Sequence, residues 1–188
     1  MPIIENEISF QAYTTPSFIT IWLGTNDAAL VNGSDPETHV PIKNYKENLI
    51  QIVTAFQASA PNAGILLITP PHIDDGARAK YASEVNHTTT GVVDRSNAMT
   101  ANYSLAALDA AKTLGVPVLD LNAHFNAMPE LTRNALLIDG IHFNADGHKI
   151  VDKLIRSKVK SEFPSFDKAL QSLQFPQASD LALEDPYM

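Results

Sequence analysis

A chain of 188 residues, 45% of them hydrophobic, is sized for one domain or slightly more with a sizeable buried core. Its 13 Lys and Arg against 21 Asp and Glu give a formal net charge of −8, a field that repels nucleic acid and anionic membrane and suits a neutral or cationic small ligand. The absence of cysteine excludes disulfides, thiolate metal sites and a cysteine nucleophile. In chain order, the apolar run at 17–24 (SFITIWLG) reads as a buried strand ended by glycine, with Trp22 in the core. Tyr45, Leu49, Ile52, Val53 and Phe56 recur at helical spacing and predict an amphipathic helix over 42–59, stopped at Pro61–Asn62. Residues 64–69 (GILLIT) form a second buried strand, closed by Pro70–Pro71. Residues 73–94 are polar and weakly patterned, with a short helix expected around 77–84. Met99, Tyr103, Ala106, Ala110 and Leu114 predict a second long helix with Gly115 as its C-terminal cap. Residues 116–120 (VPVLD) read as a third strand, and Asn144 caps a last helix whose stripe is Ile150, Val151, Leu154, Ile155 and Val159.

The domain is expected over 1–165, followed by a Pro/Gln/Ser-rich surface tail over 166–188. No stretch approaches the roughly 20 apolar residues that span a bilayer. Met1–Glu7 has neither the basic start nor the apolar run of a signal peptide, so the expected compartment is cytoplasmic.

Strands that read as unbroken apolar runs are buried on both faces. That is the signature of a parallel sheet between helical layers, an α/β fold. Ligands of such sheets lie beyond the carboxyl ends of the strands. Gly24-Thr25-Asn26-Asp27 follows the first strand at that end, and Thr69-Pro70-Pro71-His72 follows the second. The segment Asp139-Gly140-Ile141-His142-Phe143-Asn144-Ala145-Asp146-Gly147-His148 sets an acid three residues before a histidine, in a turn ahead of a helix. There a carboxylate can touch the imidazole it orients, and the turn can reach the same rim.

GTND after a buried strand, with DGIHFNADGH far downstream, resembles blocks III and V of the SGNH (GDSL-type) hydrolases. The match covers roughly 18–163, and the proline-punctuated tail from Phe163-Pro164 to Pro186 resembles the isoamyl acetate-hydrolysing esterase branch. The resemblance implies a three-layer α/β/α sandwich with a flavodoxin-like parallel sheet. It implies acyl transfer from a small carboxylic ester to serine and then to water, with no cofactor and no metal. His142 matches the family's general base. Asp139 matches the acid that fixes its tautomer. Asn26 matches the side-chain oxyanion donor, and Gly24 the tight turn at the strand end.

The sequence also departs from that family. A Gly-Asp-Ser block occurs nowhere, the upstream glycine block is missing, and only 23 residues precede Gly24. The reading is therefore of an N-terminally incomplete member that lacks the first strands, the serine nucleophile and the other two oxyanion donors. Ser34 has no strand-to-helix elbow. The strand at 18–23 becomes an edge open to self-association. Two other classes stay open: a non-catalytic relic that binds an acyl ligand, and a metal-dependent hydrolase using Asp139, His142, Asp146 and His148. Among the remaining polar residues, Asp27 is expected to bond its own loop, His148 to pack, and His72 to be an ordinary loop histidine.

Overall fold

The computed structural model describes residues 15–84 and 90–172. Three parallel strands, β1 (Phe18–Trp22), β2 (Gly64–Ile68) and β3 (Val118–Leu119), lie in the order β1-β2-β3. The register pairs Phe18 with Gly64 and Leu67 with Val118. The helices are α1 (Ile42–Ser59), α2 (Asp75–Glu84), α3 (Asn97–Leu114), α4 (Leu121–Asn126), α5 (Glu130–Asn134), α6 (Ala145–Glu162) and α7 (Pro164–Leu170).

The central strand β2 explains the layering. Successive side chains of a strand point to opposite faces. Ile65 and Leu67 join Tyr45, Leu49 and Val53 of α1 and Ala107, Ala110 and Ala111 of α3. Leu66 and Ile68 face the other way, into Leu121, Phe125, Phe143 and Val151. One core thus lies on each face of the sheet, which gives the α/β/α sandwich.

The local signals explain the helix ends. Ser96 accepts the Met99 amide at the start of α3 (3.2 Å), and Gly115 ends that helix with φ +65°. Asn144 Oδ1 accepts the amides of Asp146 and Gly147, each at 3.0 Å, and opens α6.

Three sequence expectations change. Trp22 is 38% exposed rather than core. It sits at the end of β1 on the face of exposed Thr20, where its ring meets Phe143 in a tilted contact at 6.4 Å. Among the described residues β1 is paired on one side only, by β2. The third strand shrinks to two residues because Pro117 has no N–H for a ladder and Asp120 turns away to cap α4 through Ala123 N (3.0 Å). Past Phe163 the chain first forms α7, whose Phe166 stacks on Phe18 at 4.7 Å. Residues 173–188, the remainder of the expected tail, lie outside the described residues, as does His87. Among the described residues no helix is long and apolar enough to cross a membrane.

Candidate functional site

The 136–144 loop before α6 is a narrow hairpin. Leu137 bridges Phe143, Ile138 N donates to His142 O (2.8 Å) and Asn144 N to Leu136 O (2.9 Å). At its tip Gly140 adopts φ +88°, and its close approach to α2 leaves no room for a side chain. A Cβ there would lie 2.9 Å from Ala77 Cβ and 3.0 Å from Asp74 O. The Asp74 amide also donates to Gly140 O at 3.0 Å, so α2 holds the hairpin from outside.

Within this turn the carboxylate of Asp139 is fully engaged. Its Oδ1 accepts the amides of Ile141 (3.0 Å) and His142 (2.9 Å), and its Oδ2 meets His142 Nδ1 at 2.8 Å. Burial alone would raise the Asp139 carboxyl. The His142 amide, the His142 ring and the Ile141 amide outweigh it and hold the pKa at about 2. An ionised carboxylate can only accept, so the proton of a neutral His142 ring sits on Nδ1. That leaves Nε2 as the basic nitrogen.

Asn26 stands at the carboxyl end of β1, in the turn that Gly24 makes. Gly24 has φ +121°, and a Cβ there would lie 2.6 Å from Tyr45 Oη, the hydroxyl that donates to Leu23 O (3.0 Å). Burial, with Asp27 and Tyr103 adding to it, raises the Tyr45 phenol, so this donor stays protonated. Arg95 Nη2 donates to Asn26 Oδ1 at 3.0 Å, which assigns the other end of the amide, the Nδ2 donor, to the open side.

A cavity of about 390 Å³ is lined by Asn26, Asp139 and His142 with Ser34, Tyr81 and Arg95. An adjoining one of about 340 Å³ shares Asn26, Ile141 and His142 and adds Trp22, Gly24 and His148. The three side chains that the sequence placed on one rim therefore meet at one opening, with Gly24 beside them.

Other residues take different places. His72 is not an ordinary loop histidine. It is fully buried, its Nε2 meets Arg133 O at 3.0 Å, and its Nδ1 has no hydrogen-bond partner. Burial is the largest influence on its ring and lowers its pKa. Asp27 contributes its backbone, accepting the Val40 amide at 3.1 Å. His148 is exposed, edge-on to Phe143, and lines the second cavity. Asp146 turns to Lys149 (2.9 Å), and among the described residues no group of three or more His, Asp and Glu could hold a metal ion.

The sequence reading missed Arg78, Asp94 and Arg95. All three are buried beneath the site, in or beside the polar stretch that showed no pattern. A buried arginine carries no periodic signal that separates it from a solvated one; only its partners do.

Known proteins resemble the chain in sequence and in fold. The family model described as GDSL-like Lipase/Acylhydrolase matches residues 4–150. A GDSL esterase/lipase of Arabidopsis thaliana is 32% identical over 172 residues, covering 92% of this chain and 69% of its own length. A second one is 32% identical over 139 residues, 72% of this chain and 56% of its own. An isoamyl acetate-hydrolyzing esterase 1 homolog of Bos taurus is 28% identical over 177 residues, 92% and 65% of the two chains. Each of these relatives is longer than this chain, which spans 56% to 69% of their length. Among solved structures, the lipase/acylhydrolase from Enterococcus faecalis superposes with a TM-score of 0.62 at 21% identity, over 84% of this chain and 68% of that one. An acetylxylan esterase from Geobacillus stearothermophilus, solved as a catalytic mutant, gives 0.54 at 20% identity, over 77% and 60%. These two share the fold. By the extent of the family match and of the Arabidopsis relative, the chain belongs to the GDSL-like lipase/acylhydrolase family, a family of ester-hydrolysing enzymes.

Proposed function

We propose that this chain carries the base, the acid and one oxyanion donor of a carboxylic ester hydrolase acting on small, acetate-like acyl esters. The observation that carries the reading is the Asp139–His142 pair, 2.8 Å apart and opening on the cavity that Asn26 lines. In the reaction His142 Nε2 takes the proton of a serine hydroxyl as its oxygen attacks the ester carbonyl. The Asn26 amide donates to the oxygen on which negative charge develops. A donor so aimed is worth about 2.7–4 kcal/mol in comparable enzymes. The imidazolium, steadied by Asp139, then protonates the leaving alcohol, and water repeats the sequence on the acyl-serine.

The Gly-Asp-Ser block that would carry the nucleophile is not in the sequence. Ser34 lines the cavity with His142. The test is hydrolysis of p-nitrophenyl acetate by the purified chain, its His142→Ala and Ser34→Ala variants, and fluorophosphonate labelling of each. Turnover lost in His142→Ala and indifferent to chelator supports the reading. Turnover undiminished in His142→Ala overturns it. A chain that neither turns over nor labels is the acyl-binding relic instead. Chelator-sensitive turnover points to the metal-dependent class.

The reading includes self-association through the strand at 18–23. Its support is the one-sided pairing of β1 among the described residues and the exposure of Trp22 and Leu23, 38% and 49%. Sedimentation velocity across a concentration series tests it. A concentration-independent monomer would end it.

A further inference from the structure

Asn26 and Asp139 stand on different loops, one after β1 and one before α6, and a buried run of charged side chains joins them. Arg78 grips Asp94 with two parallel bonds, Nε to Oδ1 at 3.0 Å and Nη2 to Oδ2 at 2.8 Å. Its third arm, Nη1, donates to the backbone carbonyl of Asp139 at 3.2 Å. Asp94 Oδ2 accepts a further bond from Arg95 Nη1 at 2.6 Å. Arg95 then donates through Nε to Thr25 O (3.1 Å) and through Nη2 to Asn26 Oδ1 (3.0 Å) and Asp35 Oδ2 (2.8 Å). The side chains of Arg78, Asp94 and Arg95 are 6%, 8% and 7% exposed. Burial would raise the Asp94 carboxyl, but the two guanidiniums hold it below the usual range, so the bridge stays ionised.

We propose that Arg78, Asp94 and Arg95 form one positioning unit that fixes the orientation of the Asn26 amide and the backbone of the Asp139 turn together. The proposal deepens the esterase reading and rests on it, because it supplies the reason Asn26 presents a donor. A side-chain amide has two ends of similar size, and packing alone cannot choose between them. A guanidinium N–H beside it can. With Oδ1 toward Arg95 the contact is donor to acceptor. With the amide reversed, two donors would face each other. The same contact places positive charge at Oδ1, which polarises the amide and strengthens Nδ2 as a donor to an oxyanion. Asp94 holds both arginines by charge-assisted bonds in a low-dielectric interior, so a shift of one is felt by the other. Lysine cannot substitute for either arginine, since one ammonium cannot reach the three acceptors arranged around the planar fork of Arg78 or the four around that of Arg95.

The test is the ¹H–¹⁵N spectrum of the full chain. It follows the Asn26 side-chain amide pair, the Ile141 and His142 amides that report on Asp139, and the Leu66 and Ala110 amides as core markers. Arg95→Lys should move the Asn26 pair further than it moves the core markers. Arg78→Lys should move the Ile141 and His142 amides in preference to Asn26. Asp94→Asn should move both groups. Arg156→Lys, on the exposed face of α6, should move none. A scaffold with no hold on the amide would shift the core markers as much as the site. An unmoved Asn26 pair in Arg95→Lys, or an Asp94→Asn shift confined to one group, overturns the proposal. If Asp94→Asn does not fold, the two lysine variants, which keep the charge, decide it. Turnover that survives His142→Ala would end the esterase reading without altering this spectral pattern. A pattern that fails to separate ends the positioning unit and leaves that reading standing.

Discussion

Replacing Asp94 by alanine tests the energetics beneath the site. The carboxylate accepts three charge-assisted N–H bonds from two guanidiniums, and all three side chains are less than 10% exposed. Such bonds contribute about 1.5–3 kcal/mol each, so a bare sum would reach about 4.5–9 kcal/mol. Removing the anion also removes its own desolvation cost, and Asp35 still faces Arg95. The net effect is that of breaking a buried pair and stranding its partner, about 3–5 kcal/mol. With a urea m-value of about 2 kcal/mol per molar, the unfolding midpoint should fall by about 2 M. That is a large part of the 5–15 kcal/mol typical of a domain. Equilibrium urea unfolding followed by Trp22 fluorescence measures it, with far-UV circular dichroism as a second probe of the same transition. A change under about 1 kcal/mol, the range of solvent-screened ion pairs, would show that water reaches the triad and would refute the argument.

Three further outcomes follow from the geometry. In the hydrolysis assay Asn26→Ala should lower kcat by about 10²–10³ with KM little changed, since the lost donor acts on the transition state; an equal rise in KM would make Asn26 a substrate contact. Gly24→Ala combines a φ of +121° with a Cβ 2.6 Å from Tyr45 Oη and 3.1 Å from Pro70 Cγ. The strained backbone costs about 1–3 kcal/mol, and at ~2–4 °C per kcal/mol for a chain of this size the melting temperature should drop by about 2–12 °C; an unchanged melt would show that the turn relaxes. His72 is buried and its pKa is lowered, so as pH falls below the ordinary histidine value of about 6.5 the unfolded chain takes up the proton first. Its contribution to stability is present above that pH and is lost as pH falls toward the folded value, at up to about 1.4 kcal/mol per pH unit. Urea midpoints between pH 7.5 and 5 should slope accordingly, and the slope should flatten in His72→Gln; an identical slope would assign the effect to other groups.

The parts of the fold that were readable from the sequence are those set by neighbours along the chain. The 42–59 helix shows in Tyr45, Leu49 and Val53, and the end of the 97–114 helix in Gly115. The Asp139–His142 contact shows in a three-residue spacing within one turn, and its rim shared with Asn26 in the rule for parallel sheets. What failed depends on distant partners. Trp22 reads as core because a strand pattern reports apolar character but not whether a second layer covers it. His72 reads as a loop histidine because Arg133, Phe125 and Phe143, which enclose it, arrive from far along the chain. Arg78 and Arg95 escape the sequence reading because their compensating charge, Asp94, lies in a stretch without period. The short helices α4 and α5 are too brief to show a stripe, and Asp120, read as the end of the third strand, caps α4 instead.

The two halves of the candidate site are made rigid by different means, and this bears on how the chain can work. His142 is fixed locally. Its acid is three residues away, and that acid is held by the amides of Ile141 and His142 themselves. The pair therefore keeps its geometry as long as the hairpin before α6 stands, and α2 braces the hairpin at Gly140. Asn26 is fixed at long range, through Arg95, from a residue 69 positions away. A disturbance at Arg95 should accordingly loosen the Asn26 amide before it loosens the Asp139–His142 pair. The balance of charge fits the same division. Arg78 and Arg95 are offset by Asp94 and Asp35, while Asp139 has the His142 ring as its partner.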